Sequence, residues 1–316
     1  MANNETFRSL LQASFKSNDT EEWLDIWFTR PIGLVITLVG RRWGIHPNSI
    51  TIFSIFLGVA AGVMFAFADF WSNLCGVVLL MMANFCDSAD GQLARLTGQK
   101  SMKGRCLDGF AGDTWFVSIY LAIAFRLWNE PLPFIHQSWG VGGLLLVAIA
   151  GLFCHAPQSS LSDYYRQIHL FFLKGKEGSE LDSYEAEKAI VASLRGKKDV
   201  FWDKAFHANY MKYCRSQERR TPAFQLFHAT LKQRYGTIDN VPETLKKSFV
   251  KGSRPLMPLT NFLTFNSRAI LVYLSCLSGY VWIFPLAEIV VYQLIYRYMR
   301  YAHERLCKEL TSSINP

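Results

Sequence analysis

The sequence predicts an all-α integral membrane protein with six transmembrane helices, an N-terminal amphipathic juxtamembrane helix and a cytosolic helical insertion. Three observations carry that expectation. Half of the 316 residues are hydrophobic and the mean hydropathy is +0.11, too apolar for an ordinary soluble enzyme and too charged for a chain immersed in lipid throughout. Apolar runs of about twenty residues recur, the length that crosses a hydrocarbon core. Residues 171–256 interrupt them, mixing lysine and arginine with acidic and aromatic residues, and no window there could span a bilayer.

Four segments follow in order. Residues 1–43 begin with a polar, loosely ordered stretch, and Asn18 to Glu21 suit a capping box for a helix starting near Asp19. Trp23, Ile26, Trp27 and Leu34 recur at helical spacing with Glu21, Glu22 and Asp25 on other faces, the pattern of a helix lying in the membrane interface. Pro31 is expected to kink or divide it, and Arg41-Arg42 marks a headgroup-facing end. Residues 44–170 carry apolar helices at roughly 50–68, 72–95, 106–127 and 140–160, with Trp71, Trp128 and Trp139 at their ends as an aromatic belt requires. In the insertion, 171–256, Ser183–Leu194 and Phe224–Arg234 show helical periodicity, the second with Pro222 as a start signal. Residues 257–316 return to the membrane with spans near 265–280 and 283–303, and Glu288 is expected to make a buried polar contact between helices.

The connections at 69–72 and 128–138 carry little positive charge, whereas 95–105 and the stretch after 160 are basic, which orients those basic ends toward the cytoplasm. A net charge of +8 suits an anionic lipid surface or an anionic substrate, and nucleic acid is not an expected partner. The seven cysteines include no CxxC pair, so neither a disulfide framework nor a zinc site is read from them.

One stretch organises the rest. Asp87-Ser-Ala-Asp90-Gly91-Gln-Leu-Ala94-Arg95 closes one apolar run, and Gly104-Arg-Cys-Leu-Asp108-Gly109-Phe-Ala-Gly112-Asp113 opens the next. Asp87 and Asp90 share a helix face, and Asp108 can face them across a short basic turn holding Lys100, Lys103 and Arg105. A pair of aspartates at this spacing is commonly a cap or a solvated face. Here the flanks are apolar enough for membrane, where carboxylates are expensive and functional by default. Converging carboxylate oxygens suit hard cations such as Mg²⁺ or Mn²⁺.

The stretch resembles the signature of the CDP-alcohol phosphotransferase family: Asp, two residues, Asp-Gly, two residues, Ala-Arg, eight residues, Gly, three residues, Asp, three residues, Asp. Asp87, Asp90, Gly91, Ala94, Arg95, Gly104 and Asp108 match in identity and spacing. The last aspartate does not: its position holds Gly112, and Asp113 follows one residue late. The resemblance implies transfer of a phosphatidyl group from CDP-diacylglycerol to a polar alcohol, best a phosphorylated polyol such as inositol phosphate or glycerol phosphate, with release of CMP. Transfer of a CDP-linked headgroup to a lipid alcohol, and a non-catalytic CDP-lipid-binding protein, remain as alternatives. An intramembrane transporter site is a rival of another class.

By the same resemblance Asp87, Asp90 and Asp108 are metal ligands for two divalent ions, and Gly91, Ala94, Arg95 and Gly104 belong to the cytidine side. Asn48 and Thr51, in the Pro-Asn-x-x-Thr that opens the first span, are nucleotide-side candidates, and a homodimer facing the cytoplasm is implied. In the family the last aspartate approaches metal and takes the acceptor proton. Residue 113 lies about 140° from residue 108 on a regular helix, so Asp113 joins the site as ligand and base only through a local π-bulge. Arg166, Arg268 and Arg297, with Arg300, are expected to grip an acceptor phosphate.

Overall fold

The computed structural model describes residues 7–14, 17, 19–133, 137–197 and 200–314. Asn18, and with it the expected capping box, lies outside them. The described secondary structure is helical, apart from one isolated bridge between Pro131 and Ser138. The chain falls into two compact units, one of residues 1–155 and 265–291, the other of 156–264 and 292–316.

In the first unit, helix α1 (Phe7–Ser14) occupies a stretch that composition leaves without structure. A π-helical turn, Asp25–Thr29, then runs directly into α2 (Arg30–Arg42). Pro31 therefore does not divide the helix. It sits at the junction with the wider π turn, whose shifted hydrogen-bond register accommodates a residue without an N–H. Trp23, Trp27 and Trp43 are each at least 70% exposed, so this segment presents aromatic rings outward.

Helices α3 (Pro47–Phe65), α4 (Phe70–Leu96) and α5 (Met102–Asn129) pack together as the centre of this unit. Each begins at a polar cap. His46 Nδ1 accepts from the Asn48 N–H, Asp69 Oδ1 from the Ser72 N–H at 2.9 Å, and Ser101 Oγ from the Gly104 N–H at 3.0 Å. The Ser101 cap starts α5 earlier than expected, so Lys103, Gly104 and Arg105 lie in its first turn and not in a loop. The α3–α5 contact is set by Gly58 and Gly62, a GxxxG pair. A Cβ at Gly58 would stand 2.0 Å from Trp115, and one at Gly62 would stand 1.9 Å from the Ser118 Oγ, so only glycine permits this approach. Trp115, Ile119, Ile123, Leu80 and Phe65 fill the core beside them. At one end of the three helices Arg126 is buried, donating to Glu130 at 3.0 Å and to Asn73 Oδ1 at 3.1 Å. Helix α6 (Gly140–Ala148) with a π-helical stretch to His155, α13 (Phe265–Ser278) and α14 (Ile283–Ala287) complete the unit.

The second unit comprises α7 (Ala156–Lys174), which continues the helical run begun at Gly140, the insertion helices α8 (Tyr184–Ser193), α9 (Phe201–Arg220), α10 (Pro222–Tyr235) and α11 (Glu243–Ser253), the short α12 (Met257–Phe262), and α15 (Gln293–Ile314). Its core is aromatic: Phe172 stacks on Phe249 at 4.0 Å, and Tyr165 on His303 at 4.0 Å. Glu304 accepts from the Ala223 N–H at 2.7 Å, capping α10 at the start that Pro222 marks.

Four helical runs are long and apolar enough to cross a membrane: Pro47–Phe65, Phe70–Leu96, Lys103–Asn129 and Gly140–Lys174. The six expected spans include two others. At 14 residues α13 reaches about 21 Å, short of a hydrocarbon core of about 30 Å. The final helix is not among the four either.

Candidate active site

The C-terminal part of α4 and the first turns of α5 bring Asp87, Asp90 and Asp108 together, with one carboxylate oxygen from each within 4.8 Å of the others. Asp90 is buried, Asp87 half-buried and Asp108 exposed, so the cluster opens outward on the α5 side. Thr51, on α3, donates its hydroxyl to Asp90 Oδ2. A residue expected on the nucleotide side thus supports a carboxylate directly.

On α4, Asp87 lies three and four residues before Asp90 and Gly91, which lie four and three before Ala94, so the four share a face. A Cβ at Gly91 would lie 3.4 Å from the Arg95 guanidinium, and one at Gly104 would lie 3.2 Å from Asn48 Oδ1. A side chain at either position would press on a polar neighbour. Arg95 lies within electrostatic reach of Asp90 and Asp108, and its buried Nε has no hydrogen-bond partner among the described residues.

The donor set fits a hard divalent cation. All three ligands are carboxylates, and ligands on opposite sides of an Mg²⁺ ion stand about 4.2 Å apart. Asp87, Asp90 and Asp108 would hold such a cation, which would neutralise phosphate charge there.

Helix α5 is regular α-helix from Met102 to Asn129, so the π-bulge that was to carry Asp113 inward is not there. Asp113 is exposed and is not one of the three clustered carboxylates. Gly109 and Gly112 have nothing within 4 Å of a built Cβ, so they leave room on this face without bending the helix.

Arg268 differs from its expected role. It is 1% exposed, and its Nε donates to Glu288 Oε1 at 2.7 Å, so its charge faces a carboxylate inside the unit and not an acceptor at the surface. Glu288 makes the interhelical polar contact expected of it, with His155 Nδ1 at 3.5 Å as a further neighbour and the Tyr120 hydroxyl 3.2 Å from that same nitrogen. In the second unit Arg166 donates to Asn261 Oδ1 at 2.9 Å. There Arg297 joins Arg300, Arg305, Lys308, Tyr296 and Tyr301 around an open cleft of about 700 Å³.

Sequence reasoning missed the N-terminal contribution. Glu22 Oε2 and Asp25 Oδ1 both accept from Asn266 Nδ2, at 2.7 and 3.0 Å. Acidic residues of an amphipathic helix read as a wet face, and their partner lies 241 or more positions away in sequence. No local pattern announces that contact.

Residues 44–163 match the family model of the CDP-alcohol phosphatidyltransferases, and all seven motif positions lie inside the match. The match covers 120 of the 316 residues, and this segment is similar to that family. No curated protein and no solved structure gives a match.

Proposed function

We propose that the protein transfers a phosphatidyl group from CDP-diacylglycerol to the hydroxyl of a polar alcohol, a phosphorylated polyol being the favoured acceptor, and releases CMP. The observation that carries this reading is the gathering of Asp87, Asp90 and Asp108 from α4 and α5, within the family segment. Bound divalent ions would neutralise the donor pyrophosphate and stabilise the entering and leaving oxygens.

Within this proposal Asp87, Asp90 and Asp108 hold the ions, and Thr51 orients Asp90. Gly91 and Gly104 lie on the cytidine side with Asn48, and Arg95 is the proposed contact for a donor phosphate. Six membrane crossings, a site facing the cytoplasm and a homodimer belong to the same reading.

CMP release by the purified protein, with CDP-diacylglycerol, Mg²⁺ or Mn²⁺ and one acceptor at a time, tests it. Inositol phosphate, glycerol phosphate, inositol, serine and a lipid alcohol form the panel. Release that depends on a phosphorylated polyol is the expected result. Release only with a lipid alcohol and a different CDP-alcohol reverses the direction of transfer, and binding of the donor without release contradicts catalysis.

A further inference from the structure

The cleft of the second unit runs along one face of α15, because its lining residues recur at spacings of three and four from Gln293 to Lys308. Four of them are cations, Arg297, Arg300, Arg305 and Lys308, and one is an acid, Glu304. Glu304 is committed to α10, where its Oε2 accepts from the Ala223 N–H at 2.7 Å. Arg305 is matched by Glu309, Nε to Oε1 at 2.7 Å. Arg300 Nε donates to the Arg220 carbonyl at 3.0 Å, which brings the basic pair Arg219-Arg220 at the end of α9 to the rim of the cleft. The rest of that guanidinium is left to a ligand. Arg297 and Lys308 form no ion pair among the described residues. A face with this excess of positive charge repels a second copy of itself and attracts an anion.

The residues beside the cleft indicate where the anion comes from. Leu294, Tyr298 and Tyr301 stand 64%, 60% and 65% exposed at spacings of four and three, a stripe that leads into Arg305. The order along the helix is apolar, then aromatic, then basic. Tyrosine settles at the level of lipid headgroups, and arginine lays its stem along apolar surface while its charge reaches outward. From Tyr298 to Arg305 the helix rises about 10 Å, enough to cross one headgroup layer of about 5–8 Å. A soluble phosphate would need the cations and not the stripe. A lipid uses both.

We infer that the α15 cleft docks the phosphate of an anionic phospholipid. Arg297, Arg300 and Lys308 meet the phosphate, and the stripe of Leu294, Tyr298 and Tyr301 lies against the apolar part of the same lipid. None of the aspartate-motif residues lines this cleft. The site stands whether or not the aspartate cluster transfers a phosphatidyl group.

The full-length protein in neutral detergent micelles, stripped of metal, is titrated with a fluorescent short-chain phosphatidylglycerol. The bound probe is then challenged with unlabelled phosphatidylglycerol, phosphatidylcholine, glycerol phosphate or inositol phosphate. Saturable binding that phosphatidylglycerol displaces and the other three do not is the expected result. Arg297→Gln with Lys308→Gln should weaken it by about 30-fold at unchanged Tm, which is about fivefold for each basic side chain near an anionic lipid surface. Displacement by glycerol phosphate or inositol phosphate makes the cleft a site for a free phosphate ester and overturns the lipid assignment. Equal displacement by phosphatidylcholine removes the role of charge, and unchanged binding in the folded double variant removes the role of the cleft. Either overturns it. Probe binding that is lost in Asp90→Asn and kept in the double variant belongs to the aspartate cluster and overturns it as well. If the double variant does not fold, salt decides on the wild type. Binding that weakens steeply as salt rises supports the site, and binding indifferent to salt contradicts it.

Discussion

Asp87, Asp90 and Asp108 form one group of ionisable side chains among the helices of the first unit, and Arg268, Glu288, His155 and Tyr120 form another. The first collects like charges, three carboxylates with oxygens within 4.8 Å, and exposes one of them. The second joins opposite charges: Arg268 and Glu288 are 1% and 0% exposed and lie 2.7 Å apart. Carboxylates brought together repel unless a cation or a shared proton joins them, so the first group is suited to holding a cation. Opposite charges sealed together satisfy one another, and such a pair specifies how helices meet. Charge in an apolar bundle is thus not by itself a functional mark. What separates the two groups is the sign of the neighbours and the opening to the outside.

That contrast predicts opposite responses to the loss of one carboxylate. Asp90→Asn should lose more than the about 10–100-fold in metal affinity and activity that removal of an outer partner costs, while its Tm stays near or above wild type because a repulsion is relieved. A large fall in Tm with intact Mn²⁺ binding would make the cluster a structural feature. Glu288→Gln should do the reverse, lowering stability by about 3–5 kcal/mol because the Arg268 charge is left buried without its counterion. In that variant the acceptor KM of the surviving folded protein should not change. If Arg268→Met with Glu288→Met restores the Tm lost in the single variant, the pair is structural. A rise in KM confined to phosphorylated acceptors would return Arg268 to the acceptor site. The smallest effect is expected at Thr51→Val, where Mn²⁺ affinity should drop by about tenfold as Asp90 loses its hydrogen bond. No change there would mean that the ions orient Asp90 without help.

The sequence made the aspartate cluster legible because its residues are local. Asp87, Asp90, Gly91 and Ala94 share one helix face by spacing alone, and only Asp108 crosses to a second helix. The apolar helices and the helical insertion were legible for the same reason, since each announces itself within its own length. The Gly58–Gly62 pair was also local, but only Trp115 and Ser118 across the interface show what it permits. Three features could not be read from short-range pattern. The pairing of Glu288 with Arg268 inverts the role of an arginine that looks accessible at the start of a helix. The tie from Asn266 to Glu22 and Asp25 joins opposite ends of the chain. The straightness of α5 through Gly109 and Gly112 runs against the flexibility those residues suggest, because Trp115 and Ala111 anchor the helix in the core.

The central claim is that the three clustered aspartates form a metal-dependent transfer site. The most direct test is Mn²⁺ binding by the purified, metal-stripped protein, followed by CMP release on the same samples for wild type, Asp87→Asn, Asp90→Asn and Asp108→Asn. The account predicts saturable Mn²⁺ binding and metal-dependent release in the wild type, and loss of both together in each variant. Wild-type turnover that persists after metal removal, or Mn²⁺ binding that all three variants retain, would contradict it.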